Sequence, residues 1–171
     1  MEPQSDPGQE LVDLLDSDGR VVGVATRREI RSRRLPHRCT YLLVFGPNGD
    51  LLIHRRTTTK DVFPGFWDVA VGGVVASGED WDAGVRREAE EELGVEVEPA
   101  FLFEFRFQDD RTIAFGRVFR AIHPGPFQLQ ASEVAEAVFV PVQHLPDLFA
   151  ERQFCPDGLA VWRRYAAGLN A

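Results

Sequence analysis

The sequence predicts an α/β or α+β sandwich, an expectation carried by three observations. Short apolar runs broken by Asp-Gly and Asn-Gly steps recur along the chain, which is how strands joined by hairpins read. One central segment, residues 80–93, has a helical period instead. Two helix-like stretches close the chain, placed to cover the second face of a sheet. At 171 residues the chain fits one domain of ordinary size, taken here as residues 10–171.

Met1–Gln9, with its prolines and no apolar period, reads as a flexible tail. Leu11–Asp16 and Arg20–Ala25 flank Ser17-Asp18-Gly19, where Asp-Gly favours a tight hairpin. Arg27–Arg34 is a short helix that must stop before Pro36, because the residue ahead of a proline avoids the helical region. Its arginines are either a solvated basic face or a wall facing phosphate. Cys39–Phe45 and Leu51–Arg56 form a second hairpin around Gly46-Pro47-Asn48-Gly49-Asp50. Trp67–Val71 is a strand that runs into Gly72-Gly73. Trp81, Val85, Ala89 and Leu93 then recur at steps of four, one stripe of a helix from Asp80 to Leu93 that Gly94 ends. Phe101, Phe103, Phe105 and Phe107 alternate with other residues, so they predict a strand with a Phe face, either packed in the core, the preferred reading, or free to stack a base. Ile113–Ile122 and Ala137–Val140 are the last strands, and Val142–Ala150 and Asp157–Ala167 the last helices.

Composition removes several function classes. Apolar residues at 44% and aromatics at 11% are too abundant for a disordered chain. A net charge of −8 and an acidic pI oppose binding to a nucleic acid polymer, though a local basic patch can still hold a small anion. The longest apolar stretch, Val69–Ala76, falls short of the ~18 residues a membrane helix needs, and the N-terminus lacks the blocks of a signal peptide. These features read as a cytoplasmic protein with no membrane partner. Cys39 and Cys155 show no metal spacing.

The chemistry concentrates on the central helix. Glu88, Glu91 and Glu92 stand at i, i+3 and i+4 and share one face, while Glu90 points elsewhere. Like charges one turn apart repel, and acids near a helix C-terminus oppose its dipole by about 0.3–1 kcal/mol. A charged helix face is ordinarily just solvated; a divalent cation would reverse both penalties. An all-oxygen set suits Mg²⁺ or Mn²⁺. Arg87 can pair with an acid of this face, with Glu79 as a second partner, and carbonyls at Gly72-Gly73 can approach a metal without a side chain in the way.

Gly73, Glu79 and the run Arg87-Glu88-Ala89-Glu90-Glu91-Glu92-Leu93-Gly94-Val95 resemble the Nudix box, the signature of Nudix hydrolases. The identities at Gly73, Glu79, Arg87, Glu88, Glu91, Glu92 and Gly94 would coincide by chance at roughly 10⁻⁸ per start position. The resemblance implies an α/β/α sandwich with a mixed central sheet over most of the chain after Leu11. It also implies a Mg²⁺-dependent pyrophosphohydrolase acting on a small nucleotide, and often a homodimer. By the same resemblance Glu88, Glu91, Glu92 and the Gly72 carbonyl hold metal, and Glu79 with Arg87 is a structural ion pair. An acid outside the box, Glu136 ahead of Glu133, joins the metal or serves as base. Glu91 is the preferred base, then Glu136 and Glu88.

Leu51–Arg56, Lys60 and Phe63-Pro64-Gly65-Phe66-Trp67 are similar to a branch that includes isopentenyl diphosphate isomerases, in which the residues matching Arg56 and Lys60 grip the diphosphate. Lys60 is the chain's sole lysine, and otherwise a plain loop residue. The isomerase cysteine and histidine fall on Gly72 and Val74, and of its metal histidines only one survives, as His37, another falling on Ile30. The expectation is therefore an isomerase-like scaffold with hydrolase chemistry; the alternatives are an isomerase or a nucleotide sensor without catalysis.

Overall fold

A computed structural model describes residues 6–169. Its strands are β1 Leu11–Leu15, β2 Val21–Thr26, β3 His37–Phe45, β4 Leu51–Arg56, β5 Trp67–Asp68, β6 Ala100–Gln108, β7 Ile113–Ile122 and β8 Val134–Val140. The helices are α1 Arg27–Arg33, α2 Trp81–Leu93, α3 Leu145–Glu151 and α4 Pro156–Leu169. β1 and β2 pair as an antiparallel ribbon. The remaining strands form one mixed sheet in the order β5-β4-β3-β7-β6, with β8 also paired to β4. Among the described strands of this sheet β3 and β7 pair in parallel, and the other strand pairings are antiparallel.

Strand alternation sorts the core into two layers. In β3, Tyr41 and Leu43 enter one core and Leu42 and Val44 the other, as expected of a strand buried on both faces. The first core packs under Leu145 of α3 and Val161 and Trp162 of α4. The second packs under Val85, Ala89 and Leu93, the predicted stripe of α2. A mixed sheet thus lies between helices, as expected. β4 follows the same rule: Leu51 and Ile53 face α4, and Leu52 faces α2. His54, two residues beyond Leu52, is therefore directed at α2.

Four expectations need correction. Residues 6–9 of the expected tail are ordered: Pro7–Gln9 form a 3₁₀ turn capped by Asp6, which also pairs with Arg28. Residues 1–5 of that tail lie outside the described ones. The strand expected over Trp67–Val71 ends at Asp68, because the Asp68 carboxylate accepts the amides of Val69 and Ala70 and withdraws them from the ladder. The chain then touches β3 only through single bridges, Val71 to Leu42 and Val74 to Cys39. The Phe face of β6 is split, since a bulge between Phe101 and Phe103 turns Phe101 toward Phe119 and leaves Phe103, Phe105 and Phe107 on the α4 side. Finally, Glu136 does not precede the last strand but lies inside β8, opposite Arg55 of β4.

Candidate active site

α2 starts where the sequence places it. Asp80 caps it by accepting the Ala83 amide at 2.7 Å, and Gly94 ends it at φ 65°. Its polar face meets a cavity of about 960 Å³ at the end of the sheet, where β3 and β4 diverge and residues 67–74 cross between them. Glu88, Glu91, Glu92, Arg87, Gly72, Gly73, Arg56, Lys60 and Glu133 all line it.

Glu88 and Glu92 are both 8% exposed, while the side chain of Glu91 is half exposed. Burial, and then the neighbouring Glu88 charge, pushes the Glu92 carboxyl up to about 8 despite the attraction of Lys60 and Arg56. Burial also raises Glu88, against the pull of Arg87. Two buried carboxylates one turn apart, with a half-exposed third beside them, form a donor set that fits a hard divalent cation. The Gly72 carbonyl faces no backbone donor among the described residues, unlike that of Gly73, which accepts from Thr40 at 2.9 Å.

Arg87 holds the face in shape. Its guanidinium forks onto Glu79 (Nε to Oε1 2.8 Å, Nη2 to Oε2 3.1 Å) and donates from Nη1 to Glu88 at 2.9 Å and Glu91 at 3.2 Å. Nη2 also donates to the Val74 carbonyl at 3.2 Å, which ties the loop to α2. Burial pushes Glu79 up, but the Arg87 fork and the Ala76 amide outweigh it and hold that carboxyl below its ordinary value. The glycines are steric requirements. A Cβ on Gly73 would meet Glu88 Oε1 at 2.8 Å, and one on Gly72 would meet the Thr40 carbonyl at 2.0 Å. Backbone cannot yield as a side chain can. Gly72→Ala should therefore cost about 3 kcal/mol and open the β3 bridges, read as a lowered Tm and faster amide exchange at Leu42; unchanged exchange would mean that the loop does not need this close approach.

The wall opposite α2 is basic. Arg56 uses only Nε, donating to Val62 O at 3.0 Å, and has no carboxylate partner among the described residues. Lys60 pairs with Glu133, and burial followed by Arg56 pushes its ammonium down to about 8. Glu136 is not brought to this cavity. It is bound by Arg55 at 2.7 Å on the face of the sheet away from α2, because its neighbours Ala137 and Phe139 pack on the α2 side. Glu133 takes the place facing the cavity.

Asp68 and Asp157 at the cavity, and His54 behind Glu92, were not singled out by the sequence. Burial pushes His54 down to about 3, so the ring is neutral, with Nε2 3.9 Å from Glu92 and a buried, unpaired Nδ1. Leu52-Ile53-His54 alternation was the available signal. Asp68 of β5, Cys155 just before α4 and Asp157 of α4 converge with their ligand atoms within 4.8 Å of one another, and Tyr41 donates to Asp157 at 3.2 Å. Burial and Asp157 push Asp68 up to about 7. Cys39 is pushed up to about 12 and Cys155 higher still, so neither offers a thiolate. His37 is buried and lowered by burial, its Nδ1 against the Leu35 carbonyl at 2.8 Å.

Comparison with known proteins agrees with this geometry. The NUDIX domain model matches residues 35–157. The chain is 40% identical over 165 residues to the uncharacterized Nudix hydrolase SCO1686 of Streptomyces coelicolor, covering 95% of this chain and 91% of that protein. It is 37% identical over 175 residues to the uncharacterized Nudix hydrolase YfcD of Escherichia coli K12, covering 100% and 96%. The crystal structure of DR0079 from Deinococcus radiodurans superposes with a TM-score of 0.79 at 30% identity, covering 91% of this chain and 98% of that one. No helix among the described residues is long and apolar enough to cross a membrane. Acid face, arginine fork and glycine turn lie on a shared fold, and the chain belongs to the Nudix hydrolases, pyrophosphohydrolases that work with a divalent metal ion.

Proposed function

We propose that the enzyme hydrolyses a phosphoanhydride bond of nucleoside 5′-di- or triphosphates, or of related nucleoside diphosphate derivatives, with Mg²⁺ and alternatively Mn²⁺ as the ion. One observation carries this: the buried acids Glu88 and Glu92 face a guanidinium, Arg56, that lacks a carboxylate partner among the described residues, across a single cavity. Such a cavity takes cation and polyanion together. Glu88, Glu91, Glu92 and the Gly72 carbonyl would hold the ion, which when bound neutralises phosphate oxygens and acidifies water. Arg87 fixes the rotamers of Glu88 and Glu91. Glu91 is the base: Arg87 engages only its Oε2, and its half exposure lets water reach Oε1. Glu133, not Glu136, is the acid outside the box that faces the reaction. Arg56 and Lys60 grip the substrate diphosphate, as in the isomerase-like branch, and Lys60 is released from Glu133 as substrate enters.

Gly72 and Val74 leave the isomerase chemistry without its groups, and the raised thiols of Cys39 and Cys155 do not replace them. The test is a phosphate-release screen over nucleoside mono-, di- and triphosphates, nucleotide sugars and isopentenyl diphosphate, with Mg²⁺ and with chelator. Release from none of the nucleotides overturns this reading, and conversion of isopentenyl diphosphate without release establishes the isomerase. Lys60→Ala should raise KM for a diphosphate substrate about tenfold with a smaller change in kcat. An unchanged KM would return Lys60 to the role of a structural partner for Glu133.

A further inference from the structure

The α1 arginines are not absorbed by that assignment. Arg27 and Arg31 line the same cavity as Arg56 and Lys60. Arg27 is the first residue of α1, directly after the Thr26 cap. A cation in the first turn opposes the helix dipole, so helix stability does not account for it. Its Nε is buried without a hydrogen-bond acceptor among the described residues, and Nη1 reaches Glu10 only at 3.4 Å. Buried donors left in that state are rare in folded chains. Arg31 pairs at 2.8 Å with Asp61, whose side chain is 79% exposed and therefore well screened by water. Burial, then Arg27, and further on Arg56 depress the Arg31 guanidinium. Arg27 and Arg31 in turn both depress Lys60. Arg27, Arg31, Arg56 and Lys60 thus repel one another in a space that Arg34, Arg87 and Arg111 also line, and only Arg56 and Lys60 are assigned to the diphosphate.

We infer that Arg27 and Arg31 clamp a phosphoryl group beyond the two joined by the scissile anhydride, so that the preferred substrate carries a third, either at the end of its phosphate chain or on its sugar. The inference rests on the cavity being the hydrolytic site. A planar guanidinium donates to phosphate oxygens in pairs, and the orphaned Arg27 Nε–H gains an acceptor while the mutual repulsion of the cations is relieved. Arg28, on the same helix, is exposed, pairs with Asp6 at 2.6 Å and does not line the cavity. It serves as the control for bulk charge.

Binding separates the clamp from catalysis. Titration calorimetry of the full chain in chelator, with inorganic tripolyphosphate and pyrophosphate as probes, should show at least about tenfold tighter binding of tripolyphosphate. Arg27→Gln and Arg31→Gln should each reduce that preference to about threefold or less, and Arg28→Gln should preserve it. No preference in the unmodified protein, or equal loss in Arg28→Gln, overturns the clamp. With Mg²⁺, a lower KM for nucleoside triphosphates than for diphosphates places the third group on the chain, and a lower KM for nucleoside 5′-diphosphates carrying a 3′-phosphate places it on the sugar. Neither effect alongside active turnover overturns the inference too. Tripolyphosphate preference without turnover of any nucleotide would instead sink the hydrolase reading and leave the clamp standing.

Discussion

Replacing Glu92 with Gln is expected to lower Mg²⁺-dependent turnover by several orders of magnitude while raising the thermal stability of the metal-free protein. The two effects share a cause. Glu92 is 8% exposed, next to Glu88 one turn back, and burial and that neighbour make its charge unfavourable. Lys60 and Arg56 offset that charge only in part, and a divalent ion held by the proposed ligands Glu88 and Glu92 would supply the rest. Gln keeps shape and volume but supplies one neutral oxygen, so the ion is lost while the repulsion disappears. At pH 8.5 in chelator the variant should be more stable by about 1–3 kcal/mol, given the ~1.4 kcal/mol carried by each unit of pKa shift. Steady-state kinetics and thermal denaturation read the two halves separately. Near-normal kcat would remove Glu92 from the metal set, whereas lost stability would show that its charge is satisfied by Lys60 and Arg56 alone.

How much of this was legible in the sequence depends on how local each interaction is. The α2 stripe, its caps and the shared acid face are set by residues a few positions apart, and they stand as read, Asp80 through Gly94. The Glu79 to Arg87 fork was legible because it spans only one loop and two helical turns. Misreadings arose where a distant or competing partner decided the outcome. Asp68 captured two amides that β-propensity assigned to a ladder, so the strand from Trp67 stopped early. An extra residue at Leu102 moved Phe101 to the other face, and no periodicity announces a bulge. Glu136 is carried away from the cavity by its face of β8, which depends on register with β4 some eighty positions away in the chain, while Glu133 lies in the turn before that strand. Asp157 and Cys155 reach the cavity only because α4 packs back on β3, a contact that no short spacing encodes.

The same buried charge sets how stability responds to pH, with a sign that can be worked out group by group. Glu92 is raised from 4.5 in the unfolded chain to about 8 in the folded one, so between those values the native state holds the extra proton. Stability contributed by the protonated carboxyl is complete below pH 4.5 and lost as pH climbs through 8. Asp68, raised from 3.8 to about 7, acts in the same direction but is exhausted near pH 7. His54 opposes them: lowered from 6.5 to about 3, it makes the fold gain stability as pH rises to 6.5 and is silent above. Lys60, lowered from 10.5 to about 8, adds stability only from 8 upward. From pH 7 to 8, then, neither His54 nor Lys60 opposes Glu92, and the raised carboxyls of Glu88 and Asp157 act in its direction. Metal-free protein should lose Tm across that unit, Glu92→Gln should lose much less, and saturating Mg²⁺ should flatten the slope, since the ion replaces the proton on the folded chain. The Mg²⁺-induced rise in Tm should accordingly be larger at pH 8 than at pH 6. A rise that is equal at both values, with identical slopes in the variant and the unmodified chain, would mean that the ion does not compete with a proton at Glu92, and the buried acid pair would then need another explanation.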